Sequence, residues 1–170
     1  GATVLINISA SPFQVGKEEL RHRLFQSHAR KYGVPLVYVN QVGGNDGLIF
    51  DGESMVLDAE GDPLAVLPLF QERVETVDLS RPGARLKFSP PEPIYTAYEA
   101  LVLGARDYLR KCGFSRAVIG LSGGVDSAVT CCLAHAALGR DNVLGVLMPS
   151  PFTSRGSIDD SLKLAQNLGI

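Results

Sequence analysis

The sequence predicts an α/β protein whose second half begins a doubly wound parallel sheet. Two observations lead to this fold class. Short runs of β-branched residues alternate with stretches of helical spacing. A strand, helix, strand, helix order also follows a proline-rich segment at residues 89–93. Two strands are too few for a stable sheet of this kind, so we expect a fragment of a longer protein.

The first 80 residues are predicted to be rich in strands, with one long helix. A buried strand is expected at residues 3–8. A helix is expected at residues 17–32, where apolar side chains recur at helical spacing and Gly33 provides a left-handed end. A turn cluster is predicted at residues 43–47. Five more strands are predicted, the last as an edge strand: residues 36–39, 48–50, 54–57, 64–67 and 73–79.

A linker is predicted at residues 81–95, because its closely spaced prolines prevent regular hydrogen bonding. The linker would separate a domain at residues 1–80 from a domain at residues 96–170. The elements predicted in the second domain are, in order, a helix at 96–111, a buried strand at 117–121, a helix at 127–138, a buried strand at 142–148 and a helix at 157–168. This βαβα order favours a parallel sheet.

Composition and charge exclude several classes of protein. Of the 170 residues, 45% are hydrophobic and 20% are charged, which is typical of a globular chain. Sixteen Lys+Arg oppose eighteen Asp+Glu, so no basic excess indicates a nucleic-acid partner. Tryptophan is absent, which argues against base-stacking platforms. No apolar run is long enough to span a membrane, and the first residues lack the basic region of a signal peptide.

The three cysteines form neither a disulfide framework nor a zinc pattern. We therefore expect a reducing, cytoplasmic location. Cys131 and Cys132 fall inside a predicted helix and are interpreted as core residues. Cys112, at the end of another predicted helix, is expected to be buried.

The motif that points most directly to chemistry is Gly-Leu-Ser-Gly-Gly-Val-Asp-Ser at residues 120–127, between a predicted strand and a predicted helix. Adjacent glycines let backbone N–H groups approach an anion closely, and the helix start adds unpaired donors. Ser122 and Ser127 add hydroxyl groups. Asp126 would repel a phosphate, so it would either hold Mg²⁺ or cap the helix. The alternative is an ordinary glycine-rich turn. The motif is neither a Walker A loop nor a Gly-x-Gly-x-x-Gly fingerprint.

Residues 122–127 resemble the pyrophosphate-binding loop of the N-type ATP pyrophosphatases. This family includes NAD, GMP, asparagine and argininosuccinate synthetases and tRNA-thiolation enzymes, which cleave ATP to AMP and pyrophosphate. Residues 148–160 are similar to the segment that runs beside the nucleotide in NAD synthetases. The resemblance implies that ATP is bound by Gly120, Leu121, Ser122, Gly123, Gly124, Val125, Asp126 and Ser127, with Asp126 holding Mg²⁺.

Residues 5–17, 35–44 and 50–54 resemble the nitrilase-type glutaminase domain of glutamine-dependent NAD synthetases. The resemblance implies the C-terminal part of a nitrilase-like α-β-β-α sandwich, followed by the start of an adenine nucleotide alpha hydrolase-like domain. Ser11 and Lys17 match the family's glutamine-binding residues, and a hydroxyl with a cation can hold a carboxylate. The family has a glutamate where Gly47 stands. Its Glu–Lys–Cys triad lies upstream of this chain, so the chain alone is expected to be inactive.

The resemblance implies a ligase that makes NAD from deamido-NAD with ATP and ammonia derived from L-glutamine. An acyl-adenylate would form, and AMP and pyrophosphate would be released. The implied parent protein is a homo-oligomer, with no nucleic-acid or membrane partner. Two alternatives stay open: another ligase of the ATP pyrophosphatase family, and a non-catalytic nucleotide-binding fragment. The near-neutral charge argues against a tRNA enzyme, and the first 80 residues argue against both tRNA-thiolation and GMP-forming enzymes.

Overall fold

The computed structural model of the protein describes residues 1–80 and 86–170. The chain forms two compact units, Gly1–Ala100 and Leu101–Ile170. Each unit is an α/β arrangement, so the predicted fold class is confirmed.

A long helix, α2 (Pro93–Lys111), runs through the division between the units. It begins three residues earlier than predicted, inside the predicted linker. Proline suits the first position of a helix, because the N–H that it lacks has no intrahelical acceptor there. Residues 81–85 of the predicted linker lie outside the described residues, and the predicted domain limits stay a prediction.

The first unit is built on a mixed sheet in the order β1-β2-β5-β6, together with a separate hairpin, β3-β4. The elements are β1 (Leu5–Ser9), α1 (Lys17–Tyr32), β2 (Leu36–Asn40), β3 (Val42–Asn45), β4 (Leu48–Asp51), β5 (Met55–Leu57) and β6 (Pro63–Val66). β1 and β2 are parallel, whereas β2 with β5 and β5 with β6 are antiparallel.

Helix α1 has the predicted bounds, and Gly33 ends it in the left-handed region with φ 62°. The Gly33 N–H donates to the Ala29 carbonyl at 2.8 Å. Acidic residues in the first turn and basic residues in the last turn complement the helix dipole. The helix packs on one face of the sheet. The core consists of Phe25, Ala29, Leu36, Tyr38, Met55 and Leu57.

The other face of this sheet is open in the first unit. Ile6 and Ile8 are 64% and 82% exposed, so the prediction of a buried strand was wrong for this side of β1. Alternate residues of a strand point to opposite faces, and only one face of β1 is covered by α1.

Two other local predictions were wrong. Residues 43–47 are not all turn, because β3 and β4 pair up to Asn45 and Leu48 and leave only Asp46 and Gly47 between them. Residues 73–79 form no strand. Their apolar content is low, and Val74 is 95% exposed, so burial does not offset the cost of ordering them.

The second unit is a strand–helix–strand–helix arrangement, as predicted. After the end of α2 come β7 (Ala117–Leu121), α3 (Val125–Leu138), a 3₁₀ turn (Arg140–Asn142), β8 (Val143–Leu147) and α4 (Arg155–Leu168). β7 and β8 are parallel, with Ala117 opposite Val143.

The core of the second unit lies between its two strands and helices α3 and α4. Leu121, Cys131, Ala134 and Val143 form its centre. Val118 and Leu144 are exposed on the other strand face, so these strands too are buried on one side only.

The cysteines are free thiols. Cys131 is fully buried in the core, as predicted, whereas Cys132 is only half-buried and lies outside the core cluster. Cys112 is exposed, contrary to the prediction, because it follows the last residue of α2, beyond the buried part of that helix. Within the described residues no helix is both long and apolar enough to cross a membrane.

Candidate functional site

The loop predicted to bind phosphates lies between β7 and α3. β7 ends at Leu121 and α3 begins at Val125, two residues earlier than predicted. Asp126 and Ser127 therefore belong to the first turn of α3. The first N–H groups of an α-helix have no acceptor within the helix, and they lie at its positive end. The loop and the helix start thus present donors to an anion.

Two serine hydroxyls fix the shape of this loop. The Ser127 hydroxyl donates to the Gly124 carbonyl at 2.9 Å and lies 3.3 Å from the Ser122 N–H, which donates to it. The Gly124 N–H donates to the Ser122 hydroxyl at 3.3 Å. The two hydroxyl oxygens are 3.1 Å apart. These bonds hold the loop in a turn without a ligand.

Asp126 is exposed and does not cap the helix. The N-cap position belongs to Gly124, which has no side chain to accept a hydrogen bond. Of the two roles that the sequence allowed, only the magnesium role therefore stays a prediction. No group of three or more His, Cys, Asp or Glu side chains among the described residues could hold a metal ion. A single carboxylate nevertheless suits Mg²⁺, which is bound by one or two carboxylates together with substrate phosphates.

Position 123 requires glycine, both because of its backbone conformation and because of the atoms packed against it. Its φ is +79°, and a Cβ atom there would lie 2.5 Å from the Cα and carbonyl oxygen of Ser157. Ser157 lies in the first turn of α4, whose N-cap is Ser154. The Ser154 hydroxyl accepts a hydrogen bond from the Ser157 N–H at 3.1 Å. The start of α4 is therefore seated directly on the loop.

A cleft of about 190 Å³ opens between the loop and the segment after β8. Small-molecule sites are typically about 300–1,000 Å³, so this cleft accommodates part of a nucleotide. Its walls combine hydroxyls with apolar groups, as a site for phosphates and a ring requires. The lining residues are Gly120, Leu121, Ser122, Leu147, Met148, Pro149, Thr153, Ser157, Ile158 and Ser161.

The structure brings together the two residues that were predicted to bind glutamine. Ser11 follows the end of β1 and is half-buried. Lys17 begins α1, and its ammonium donates to the Pro12 carbonyl at 2.9 Å. The cation of Lys17 is thus held beside the residue that follows Ser11.

A buried polar network behind these residues was missed by the sequence analysis. Arg21 donates to both carboxylate oxygens of Asp51, at 2.8 and 2.5 Å, and to Glu53 at 3.3 Å. The Asn40 amide donates to Asp51 at 3.2 Å. The only local signal is that Arg21 lies one helical turn after Lys17.

Negative charge exceeds positive charge in this network. The carboxylates of Asp51 and Glu53 both contact the guanidinium of Arg21, and the carboxylate of Glu18 is close enough to act on Glu53. All four side chains are buried. Burial raises the pKa of Glu53 to about 7, against the attraction of Arg21 and with help from the other two carboxylates. Glu18 Oε1 has no hydrogen-bond partner among the described residues.

The sequence matches two protein families. Residues 1–86, just over half of the chain, match carbon-nitrogen hydrolase, and residues 97–170 match NAD synthase. The chain is 49% identical to a glutamine-dependent NAD(+) synthetase of Synechocystis. The match includes 100% of this chain and 31% of the Synechocystis protein. A glutamine-dependent NAD(+) synthetase of Thermotoga maritima is 40% identical, and that match includes 100% of this chain and 36% of the Thermotoga protein. The chain thus spans about a third of the length of these relatives.

Solved structures give the same relationship. A glutamine-dependent NAD+ synthetase from Acinetobacter baumannii, in complex with adenosine diphosphate, matches 98% of this chain and 32% of that chain with a TM-score of 0.90 and 34% identity. A glutamine-dependent NAD(+) synthetase from Cytophaga hutchinsonii has a TM-score of 0.85 over 99% of this chain and 35% of that chain. Its 20% identity supports the fold alone.

Proposed function

The chain belongs to the carbon-nitrogen hydrolase family and is similar along its whole length to glutamine-dependent NAD(+) synthetases. On this premise we propose that it is the part of such a ligase in which the glutaminase region is followed by the ATP-binding loop. The whole ligase would convert deamido-NAD to NAD with ATP and ammonia from L-glutamine. The predicted domains at residues 1–80 and 96–170 would correspond to these two regions.

The observation that carries the proposal is the loop at residues 122–124 with the start of α3. Its hydroxyls are already hydrogen-bonded to the loop backbone, and the helix start supplies N–H donors. We propose that this loop binds the pyrophosphate portion of ATP. The ADP complex of the Acinetobacter baumannii relative supports nucleotide binding in such a chain. The proposed ATP-binding residues are Gly120, Leu121, Ser122, Gly123, Gly124, Val125, Asp126 and Ser127.

Asp126 is proposed to hold Mg²⁺ against the phosphates. Its carboxylate is exposed in the first turn of α3, where the helix N–H groups and the serine hydroxyls would face the bound phosphates. When bound, Mg²⁺ would neutralise phosphate charge. With Mg²⁺ between them, the Asp126 carboxylate and the phosphates would attract the same cation and would no longer simply repel each other.

The chemistry explains why a ligase needs this loop. A carboxylate is a poor electrophile, because its leaving group would be an oxide ion. Transfer of AMP from ATP to a carboxylate oxygen gives an acyl-adenylate and releases pyrophosphate, and ammonia then displaces AMP. Backbone N–H donors that are already in place would stabilise the charge that develops on the pyrophosphate. In the proposed reaction, Ser122 and Ser127 orient this leaving group.

Ser11 and Lys17 are proposed to bind the carboxylate of glutamine. A hydroxyl and an ammonium group are suitable partners for it, and the Lys17 ammonium already lies beside the neighbouring Pro12 carbonyl. Glutamine hydrolysis itself would require the Glu–Lys–Cys triad, to which none of the three cysteines corresponds.

A homo-oligomer is proposed for the whole ligase. Helix α2 has an apolar stripe that is exposed in this chain, and in the whole ligase either the rest of the protein or a second subunit would cover it. The stripe consists of Ile94, Tyr98, Leu101 and Tyr108. A cytoplasmic location without a nucleic-acid or membrane partner is also proposed, and the free thiols agree with a reducing compartment.

The test is calorimetric titration of the chain with ATP and Mg²⁺. We expect binding by the parent chain, and strongly weakened binding by Ser122→Ala and Asp126→Ala. Asp141→Ala, which removes another exposed acidic side chain in the 3₁₀ turn after α3, is the matched control and should bind as the parent does.

Equal binding by all four proteins would contradict the assigned loop. Absence of binding by the folded parent chain would contradict ATP binding by this part of the ligase. Binding that is lost in both loop variants, with no formation of an adenylate, would favour a non-catalytic nucleotide-binding role. Glutaminase activity of the purified chain would contradict the proposal that hydrolysis needs residues outside it.

A further inference from the structure

One buried side chain, Asn40, holds the backbone of Ser11. Asn40 is the last residue of β2 and is 6% exposed. Its Oδ1 accepts a hydrogen bond from the Ser11 N–H at 2.9 Å, and its Nδ2 lies 3.5 Å from the Ser11 carbonyl oxygen, to which it donates. β1 ends at Ser9, so backbone pairing with β2 stops before Ser11. The amide group takes the place of the missing strand partner.

The orientation of the Asn40 amide is fixed by groups on its other side. Its Nδ2 also donates to Asp51 Oδ1 at 3.2 Å and to the Gly52 carbonyl at 2.9 Å. Both of these groups only accept hydrogen bonds. A reversed amide would place its oxygen against two other oxygens, so Oδ1 must face the Ser11 N–H.

The Asp51 carboxylate is itself held by α1. Arg21 donates to both of its oxygens, and such paired bonds fix the plane of the carboxylate. Arg21 lies four residues after Lys17, on the same side of the helix. The backbone of Ser11 is therefore tied to this buried network, and the Lys17 ammonium donates to the carbonyl of Pro12, the residue after Ser11.

We propose that Asn40, held in place by the Asp51–Arg21 pair, is a positioning residue that fixes the backbone of Ser11 and so sets the Ser11 hydroxyl relative to the Lys17 ammonium. Asn40 itself touches no substrate. The relevance of this arrangement to glutamine rests on the proposed function, whereas the hydrogen-bonding role of Asn40 does not.

The test replaces the amide with a group whose donor depends on pH. In Asn40→Asp, a protonated carboxyl can still donate to Asp51 and accept from the Ser11 N–H, as the amide does. An ionised carboxylate faces the carboxylate of Asp51, with that of Glu53 close by, and the guanidinium of Arg21 is already shared by those two. We therefore expect parent-like hydrogen-exchange protection of the Ser11 amide at about pH 5, and protection about tenfold lower at about pH 8.

Two further variants complete this test. Asn40→Ala should lower the protection of the Ser11 amide equally at both pH values, and it serves as the measurement if Asn40→Asp does not fold at neutral pH. Asn45→Asp makes the same chemical change at an exposed position of β3 and should leave the Ser11 amide unaffected. Unchanged protection in Asn40→Ala, or an equal loss at both pH values in Asn40→Asp, would overturn the proposal.

A titration with L-glutamine separates this inference from the proposed function. We expect glutamine to shift the NMR signals of Ser11 and Lys17 in the parent chain, and to do so only at higher concentration in Asn40→Ala. If glutamine leaves the parent signals unchanged, the assignment of glutamine binding to Ser11 and Lys17 within this chain fails. The pH profile of Asn40→Asp still decides whether Asn40 positions Ser11.

Discussion

The two polar regions of this protein are built in opposite ways. The loop at residues 122–124, with the start of α3, uses backbone N–H groups and hydroxyls that are open to solvent. The network around Arg21 uses charged side chains that are buried and that pair with one another. A ligand can displace water from the exposed groups of the loop, whereas solvent and ligands do not reach the buried groups of the network.

This difference predicts where substitutions act. Removing a partner from the buried network leaves a charge without compensation, so stability should suffer most. Removing a hydroxyl from the loop leaves groups that water can satisfy, so ligand binding should suffer most. The following substitutions test this contrast between effects on stability and effects on ligand binding.

The largest expected effect is that of Asp51→Ala. Asp51 is 0% exposed, and its loss leaves the buried Arg21 guanidinium with the longer ion pair to Glu53 and its contact with the Tyr38 ring. We expect the free energy of unfolding to fall by about 3–5 kcal/mol, measured by urea unfolding. The control is Glu19→Ala, which removes the exposed partner of Arg23 and should cost less than about 1 kcal/mol. Equal costs in the two variants would contradict this contrast.

The pH dependence of stability should come partly from Glu53. Its pKa is raised to about 7, mainly by burial. Between its ordinary pKa and 7, the folded protein keeps a proton that the unfolded chain has released. The contribution of Glu53 therefore lowers the free energy of unfolding as pH rises through this window, and Glu53→Gln removes that slope.

The expected size of the Glu53 effect is at most about 3–4 kcal/mol across the window, because a pKa shift of one unit is worth about 1.4 kcal/mol. Urea unfolding of the parent and of Glu53→Gln between about pH 5 and pH 8 measures it. Glu72→Gln, at an exposed position, should keep the slope of the parent. Parallel curves for the parent and Glu53→Gln would show that Glu53 binds no extra proton in the folded state.

The sequence predicted the parts of this structure that depend on neighbouring residues. The bounds of α1, its end at Gly33 and the loop after β7 follow from spacing and from glycines within a few positions. The network around Arg21 joins residues that are 30 and 32 positions apart, so the spacing of Arg21 after Lys17 does not reveal the partners of Arg21. The same limit explains Cys112 and residues 73–79, where burial depends on what the rest of the fold covers.

Gly123→Ala should be an exception to this rule, because here the substitution of a loop residue also lowers stability. The new Cβ atom would lie 2.5 Å from the Ser157 backbone, in addition to the strain at φ +79°. Gly16→Ala is the matched control, since Gly16 has φ +80° in the left-handed region and nothing lies within 4 Å of its added Cβ. We expect about 1 kcal/mol of destabilisation in the control and a further 1–3 kcal/mol, roughly, in Gly123→Ala.

Thermal unfolding and ATP calorimetry on both glycine variants make this measurement. ATP binding should be lost in Gly123→Ala and kept in Gly16→Ala. If both variants lose the same stability and both keep ATP binding, the contact between Gly123 and α4 does not shape the loop.

The smallest expected effect is that of Ser154→Ala, and it tests how far the loop depends on α4. The Ser154 hydroxyl caps α4 and accepts from the Ser157 N–H, and the Ser157 backbone is what Gly123 packs against. Loss of the cap should cost about 1 kcal/mol in thermal unfolding, whereas Ser154→Asp keeps an acceptor and should cost less. We also expect a small loss of ATP affinity in Ser154→Ala, because a frayed first turn no longer supports the loop. If stability falls while ATP affinity is unchanged, the loop holds its shape through Ser122 and Ser127 alone.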